Sequence, residues 1–216
     1  MKVAIVGSSG YIAGFIMEKL KNESSIESIL KIDQSGDADA VLDLQNAEKF
    51  DYSVLEEIDY VIFTAAISGP DKCALDYEFC WKINVTGTEF FISKAIDRGC
   101  KVLFFSSDAV YGDIPGKIYN EESETKAETP YGKMKKAIED KFKGERSFKA
   151  IRLSYVASAK DRFISYCLSC IEKEEVADIF HPFYRNVISV SDVVNVVRSE
   201  ERRVGKECRS RWSPYH

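Results

Sequence analysis

MKVAIVGSSGYIAGFI, residues Met1–Ile16, decides the fold of this chain. The apolar run Lys2–Val6 reads as a buried strand, and Tyr11–Leu20 carries apolar residues at helical spacing. Between them lie Gly7, two serines and Gly10. A strand that turns on glycines into a helix leaves the amides of Tyr11 and Ile12 at an open helix start. There the amides and the helix dipole favour a phosphate-type anion. Gly7 and Gly10 let the backbone turn and approach such a group closely. Where a third glycine would complete a dinucleotide-binding turn the chain has Ala13, with Gly14 one place late. Alanine is small enough for helix and strand to pack there. Taken alone, the stretch reads equally well as a glycine-punctuated structural turn.

Working outward, the alternation continues. "SILKID" reads as a second strand ending at Asp33, "DAVLDL" as a short third ending near Asp43, and "DYVIFTAA" as a fourth ending at Ala65 and Ala66. A long helix is predicted from about Leu75 to Arg98, closed by Gly99. "KVLFFSS" is a fifth strand, Tyr131–Phe142 a helix and "SFKAIRLSYV" a sixth strand. Strands alternating with helices predict an α/β, doubly wound parallel sheet with ligands at the carboxyl ends of its strands. Beyond Ala157 the pattern loosens into a helix at "RFISYCLSCIEKEE", a short strand at "RNVISV" and a helix at "SDVVNVV" with Ser191 as its N-cap. The predicted organisation is a dinucleotide-binding domain over 1–156, a partial substrate-binding lobe over 157–197, and a tail over 198–216.

The 216 residues carry a net charge of −5, with 45% hydrophobic and 30% charged side chains. That balance disfavours nucleic acid and anionic membranes as partners. No apolar run is long enough to span a bilayer, and a first strand starting at Lys2 leaves no targeting segment, so a cytoplasmic location is expected. Six cysteines are expected to be reduced thiols. Cys167 and Cys170 have metal or redox spacing but lack a second pair, with only His181 and His216 to assist, so no metal site is expected.

Asp33 lies 26 residues after Gly7. A carboxylate there can accept hydrogen bonds from an adenosine ribose and would repel a 2′-phosphate, which favours NAD over NADP. Asp43 and Leu44 follow the third strand, within reach of an adenine amino group. Tyr131 and Lys135 are spaced i, i+4, so they share one helix face. A phenol is a poor proton-transfer group at neutral pH unless a nearby ammonium lowers its pKa. A serine ending the fifth strand could bond the same substrate oxygen. Together they predict carbonyl/alcohol proton transfer beside a nicotinamide.

With "GSSGYIAG", "TAA" at Thr64–Ala66, "INVTGT" at Ile83–Thr88, "SSDAVYG", "PYGKMK" and "RNVISVSDVV" in this order, the chain resembles the extended short-chain dehydrogenase/reductases of the NAD-dependent epimerase/dehydratase type, over Met1 to about Val197. The resemblance implies a Rossmann-type fold and a nucleotide-sugar substrate. It implies Ser107 as the catalytic hydroxyl, Tyr131 as the acid/base and Lys135 as the residue that holds the ribose and tunes the tyrosine. Ala65 and Ala66 would border the cofactor, Asn84 would be structural or near it, and Ser107, Asp108 and Arg185 would meet the substrate. Dehydratases of this group carry two acids after the catalytic hydroxyl; here Asp108 is followed by Ala109, so water elimination lacks its base. "DKCALDYEFCWKINVTGT" is more similar to the dTDP-4-dehydrorhamnose reductase branch, "RNVISVSD" to the epimerase branch. A homodimer is a family expectation. The alternatives are a cofactor-binding regulatory protein without catalysis, or an inactive fragment.

The last 19 residues hold six Lys/Arg and three Asp/Glu, against 24 and 32 in the first 197. They read either as a basic tail or as a segment foreign to the fold, similar to a terminal string found on unrelated assembled sequences. On the second reading the natural chain continues past Val197.

Overall fold

A computed structural model describes residues 1–34, 36–112, 117–158, 161–179 and 186–202, without the side chains of residues 70, 162 and 198–202. The predicted elements that matter most for a ligand site form where the sequence places them. They are β1 (Lys2–Val6), α1 (Tyr11–Leu20) and β2 (Ser28–Asp33), then the two-residue strand β3 (Ala40–Val41) and β4 (Tyr60–Phe63). Further along come β5 (Lys101–Ser107), α5 (Pro130–Lys141) and β6 (Phe148–Leu153). The six strands form one parallel sheet in the order β3-β2-β1-β4-β5-β6, which is the doubly wound α/β architecture. The strand order reverses between β1 and β4, and that crevice is where such sheets bind ligands.

Side-chain alternation divides the core. Val3, Ile5, Ile62, Leu103 and Phe105 point to one face, where Ala13, Ile16 and Leu20 of α1 cover them. Ala4, Val6, Phe63 and Phe104 point to the other face and meet Phe91, Ile92, Met134 and Ile138. Each strand is thus apolar on both faces, the condition for a parallel sheet between helix layers.

The long helix predicted over Leu75–Arg98 is instead four pieces: α2 (Pro70–Leu75), α3 (Tyr77–Trp81), a π-helical stretch (Lys82–Gly87) and α4 (Thr88–Asp97). Asp76 leaves helical geometry and its carboxylate caps α3 by accepting the Phe79 N–H. At Gly87 an added Cβ would lie 1.9 Å from the Leu44 carbonyl oxygen. The helix passes so close to the 44–49 turn that only glycine fits. Apolar periodicity runs through such a break, which is why the sequence reads as continuous.

The strand predicted over "SFKAIRLSYV" also divides. After β6 the chain leaves the main sheet, and β7 (Tyr155–Ala157) pairs in parallel with β8 (Val187–Ser189). Between them lies α6 (Arg162–Glu172), whose Cys170 is buried while Phe163, Leu168 and Ile171 are exposed. α7 (Val190–Arg202) buries Val193, Val194 and Val197 beside α1 on the sheet. The predicted 157–197 lobe thus starts at the last residue of β7, whose partner β8 it contains, and it returns its last helix to the main core. Ser191 lies inside α7, and the cap is Ser189, whose Oγ accepts the Asp192 N–H at 3.1 Å. Tail residues 203–216, with His216, fall outside the described residues.

Candidate active site

The opening turn is built as its glycines require. Gly7 has φ +84°, and a Cβ there would sit 2.7 Å from the Ala65 backbone nitrogen. A side chain would therefore separate the turn from the loop after β4, which is held by Thr64 and Ala65 N–H groups donating to the Val6 carbonyl. α1 starts at Gly10 without any side-chain cap, and the first helical bond is Gly14 N–H to the Gly10 carbonyl. Its leading amides are free for an anion.

Beside this turn lies a cavity of about 340 Å³ bordered by Gly7, Gly10, Asp33, Asp43, Leu44, Ala65 and Ala66. The fold thus gathers seven residues, far apart along the chain, that were read from the sequence as cofactor contacts. Tyr11 and Ile12 do not line it; the Tyr11 hydroxyl bonds Ser158 instead. Asn84 does not line it either. Buried in the π-helical stretch, it accepts the Ile67 N–H at 2.8 Å and donates to the Ile67 carbonyl at 3.0 Å, pinning the loop that does. Ser9, Gln34, Thr64, Lys72 and Phe79 also face the cavity. Ser9 and Thr64 lay within the quoted motifs without being read as contacts, and Lys72 and Phe79 are delivered by the broken helix.

Asp33 accepts the Ser9 and Gln34 N–H groups, both at 2.7 Å. Partial burial works against its ionisation, but these bonds and the Ser8 and Ser9 hydroxyls outweigh it and hold the carboxyl below its ordinary pKa. Asp43 is held low by the Asn46 side-chain amide at 2.7 Å and the Gln45 N–H at 2.9 Å. Two carboxylates thus remain charged at the carboxyl ends of β2 and β3. They suit a ligand's hydroxyl and amino groups and repel added phosphate. The free amides, the glycine cradle and these acceptors together fit a dinucleotide with unmodified ribose.

The second half of the site lies at the end of β5. Ser107 opens a short 3-10 turn (Asp108–Tyr111), its Oγ accepting the Ala109 N–H at 3.2 Å and donating to Asp108 Oδ1 at 3.1 Å. α5 packs directly on that turn. Thr129 caps it by accepting the Gly132 N–H at 3.1 Å, and Pro130 supplies its first position. Tyr131 and Lys135 both face inward. Burial, with the neighbouring Cys73 and Asp108 acting in the same direction, pushes the Tyr131 phenol up to about 12. Burial pulls Lys135 down to about 7, against the opposing pull of Glu139 and Cys73. Its Nζ donates to the Phe105 carbonyl at 2.7 Å and lies 5.7 Å from the Tyr131 ring centroid. The lowered tyrosine pKa predicted from the i, i+4 pair is therefore not the state of this chain: Lys135 is engaged by the β5 backbone, and desolvation governs the phenol. Arg185 and His181 lie outside the described residues. Among the described residues there is no group of three or more potential metal ligands, and no helix is long and apolar enough to cross a membrane.

A Rossmann-type crevice lined by a glycine turn and two acceptor carboxylates, with a Tyr–Lys helix face packed on the turn that ends β5 outside that lining, defines a dinucleotide-binding α/β protein. Residues 3–198 match the NAD dependent epimerase/dehydratase family, and the chain belongs to it. It is 28% identical over 158 residues to UDP-glucose 4-epimerase 2 of Oryza sativa subsp. japonica, a match covering 64% of this chain and 39% of that protein. The chain thus spans about two fifths of the length of that curated relative. Among solved structures it is similar to a dTDP-4-dehydrorhamnose reductase of Clostridium acetobutylicum, with TM-score 0.82, 22% identity, and coverage of 94% of this chain and 70% of that one. It is also similar to the UDP-glucose 4-epimerase of Thermus thermophilus in complex with NAD, with TM-score 0.76, 18% identity, and coverage of 92% and 74%.

Proposed function

We propose that this chain binds NAD in the crevice at Gly7, Gly10, Asp33 and Asp43 and acts on a nucleotide-activated sugar by reversible hydride transfer at a sugar carbon. The observation that carries the reading is the packing of α5 on the Ser107 turn, with the partly buried Tyr131 and the buried Lys135 on one inward face at the carboxyl end of β5. NAD, when bound, supplies the hydride acceptor and returns the hydride.

The residues of the chain handle position and protons. The amides leading α1 would hold the diphosphate, Asp33 the adenosine ribose, and Asp43 with Leu44 the adenine. The Ser107 hydroxyl is placed to bond the reacting oxygen, and Tyr131 is the proton carrier. With its phenol near 12, Tyr131 keeps its proton at neutral pH. In this state it is set to protonate a carbonyl oxygen as that oxygen gains charge. Removing a proton from an alcohol requires the Lys135 ammonium to support the phenolate. Asp108 and Arg185 are assigned to the substrate side, together with the 157–197 segment, and Ala109 argues against a dehydratase.

The test is to purify the chain, measure retained NAD, and assay UDP-glucose and dTDP-4-keto sugars while following absorbance near the ~340 nm nicotinamide band. Interconversion of sugars with no net absorbance change marks an epimerase; stoichiometric consumption of reduced cofactor marks a reductase. Turnover unaltered in Tyr131→Phe would refute both.

A further inference from the structure

Below Lys135, one turn along the same face of α5, lies Glu139. Its carboxylate is the centre of a network none of whose members takes part in the chemistry proposed above. Arg152 of β6 grips it with Nε at 3.1 and 3.0 Å from the two oxygens and Nη2 at 2.6 Å. Ser106 of β5 donates to the same carboxylate. Arg152 Nη1 donates to the Tyr111 hydroxyl at 2.9 Å and the Glu121 carbonyl at 3.3 Å, and Tyr111 donates to the Asn120 carbonyl at 2.8 Å. The guanidinium lies 4.9 Å from the Tyr111 ring centroid, and Tyr111 stacks on Tyr119 at 4.9 Å.

The Glu139 side chain is 10% exposed and that of Arg152 22%. Ion pairs this dry add little net stability, because desolvating both charges offsets their attraction. Their geometry, however, is specific: a planar fork admits one orientation of a carboxylate. The network therefore fixes α5 against β5 and β6, and it ties the chain on both sides of the site, the Ser107–Tyr111 turn and residues 119–121, to that helix.

The Lys135 ammonium needs such a neighbour. It is buried under the Phe104 ring, 4.4 Å from its centroid, with the Phe105 carbonyl as its hydrogen-bond acceptor. The groups acting on it or on the adjacent Tyr131 are Cys73 from α2 and Asp108 from the 3-10 turn, with Tyr131 and Glu139 on α5 itself. β5 offers only the Phe105 carbonyl and Ser106, the π-helical stretch only the neutral Asn84, and β6 only Arg152, whose charge is engaged by Glu139. Cys73 is an un-ionised thiol, held up to about 11 by burial. Among the described residues, Glu139 is thus the carboxylate on the same helix face that acts on Lys135.

We propose that Glu139, clamped by Arg152, is a positioning residue for the Tyr131–Lys135 face: it compensates the buried ammonium and sets the seat of α5 against the Ser107 turn. The inference rests on the assignment of Tyr131 and Lys135 in the preceding section. It implies that the clamp works as a unit, because the Arg152 fork orients the Glu139 carboxylate.

The experiment is an NMR titration of the Lys135 ammonium in the whole chain labelled with 15N-lysine, the resonance assigned by its loss in Lys135→Met. Glu139→Gln should move the Lys135 midpoint to lower pH by roughly one unit or more, Glu139→Asp should restore much of it, and Arg152→Met, which strips a cation from the same carboxylate, should move the midpoint to higher pH. Glu139→Gln keeps the size of the side chain; should Arg152→Met not fold, Arg152→Lys retains a cation and is titrated in its place, with a smaller shift in the same direction. A merely structural pair would lower the melting temperature in these variants and leave the midpoint of the folded protein unmoved, and that result overturns the proposal. The titration needs no substrate. Unaltered turnover in Tyr131→Phe would remove the catalytic reading while the Lys135 shift stands; an unmoved midpoint alongside an inactive Tyr131→Phe would remove the positioning role alone.

Discussion

Gly132→Ala should destabilise this protein, although helix propensity says the opposite. Gly132 lies in the first turn of α5, and replacing a helical glycine by alanine ordinarily stabilises by up to about 1 kcal/mol. Here the added Cβ would sit 2.4 Å from the Ala109 carbonyl oxygen and 3.0 Å from its carbon, both backbone atoms of the turn that Ser107 opens. Favourable C···O contacts begin near about 3.3 Å, so the two elements must separate by most of an ångström. Overpacking of this kind costs about 1–3 kcal/mol. At about 2–4 °C per kcal/mol for a chain this long, the melting temperature should fall by roughly 2–12 °C. Because Tyr131 and Ser107 flank the contact, the same displacement should lower turnover by about a hundredfold. Differential scanning calorimetry of the two proteins decides it. A melting temperature equal to or above that of the parent would show that α5 and the 3-10 turn are not in this contact, and would remove the geometric basis for joining Ser107 to Tyr131.

Gly7→Ala should abolish NAD retention, because φ +84° and the Ala65 backbone at 2.7 Å both exclude a side chain; calorimetric titration with NAD checks it. Lys135 has a folded-state pKa near 7, below its ordinary 10.5. Between those values the unfolded chain holds a proton the folded chain has released, so burial costs most below pH 7 and is relieved as pH rises. Urea unfolding at about pH 6.5 and 9 should therefore show the parent gaining stability relative to Lys135→Met, with no gain if the lysine is solvated. Burial pushes Cys73 and Cys100 up to about 11, so neither should react with a thiol reagent at neutral pH until the chain unfolds, whereas among the cysteines of the described residues the half-buried Cys167 should react first.

The main sheet was legible because its strands are short and apolar and end in punctuation. Gly7, Asp33, the Thr64–Ala66 run and Ser107 each mark where a strand stops, and all of these but Ser107 line the crevice. The broken helix was not legible. Leu75–Arg98 keeps its apolar period through Asp76 and Gly87, and the passage of Leu44 against Gly87, which bars a side chain there, exists only in the packed fold. The departure of β7 from the sheet and the return of α7 to α1 were equally hidden, because alternation shows which residues are buried and not which neighbour buries them.

The candidate site divides in the same way. Spacing alone put Tyr131 and Lys135 on one face of a helix, and glycine chemistry alone put free amides at the start of another. The electrostatic state of that face came from elsewhere: the Phe105 carbonyl that accepts the Lys135 hydrogen bond, the burial that raises the phenol, and an Arg152–Glu139 pair joined across 13 positions. Local sequence determines which groups a turn or a helix can present, because backbone geometry repeats over a few residues. Whether those groups are charged depends on how much water and which opposite charge the packed fold leaves beside them, and that is settled only when distant strands and helices close together.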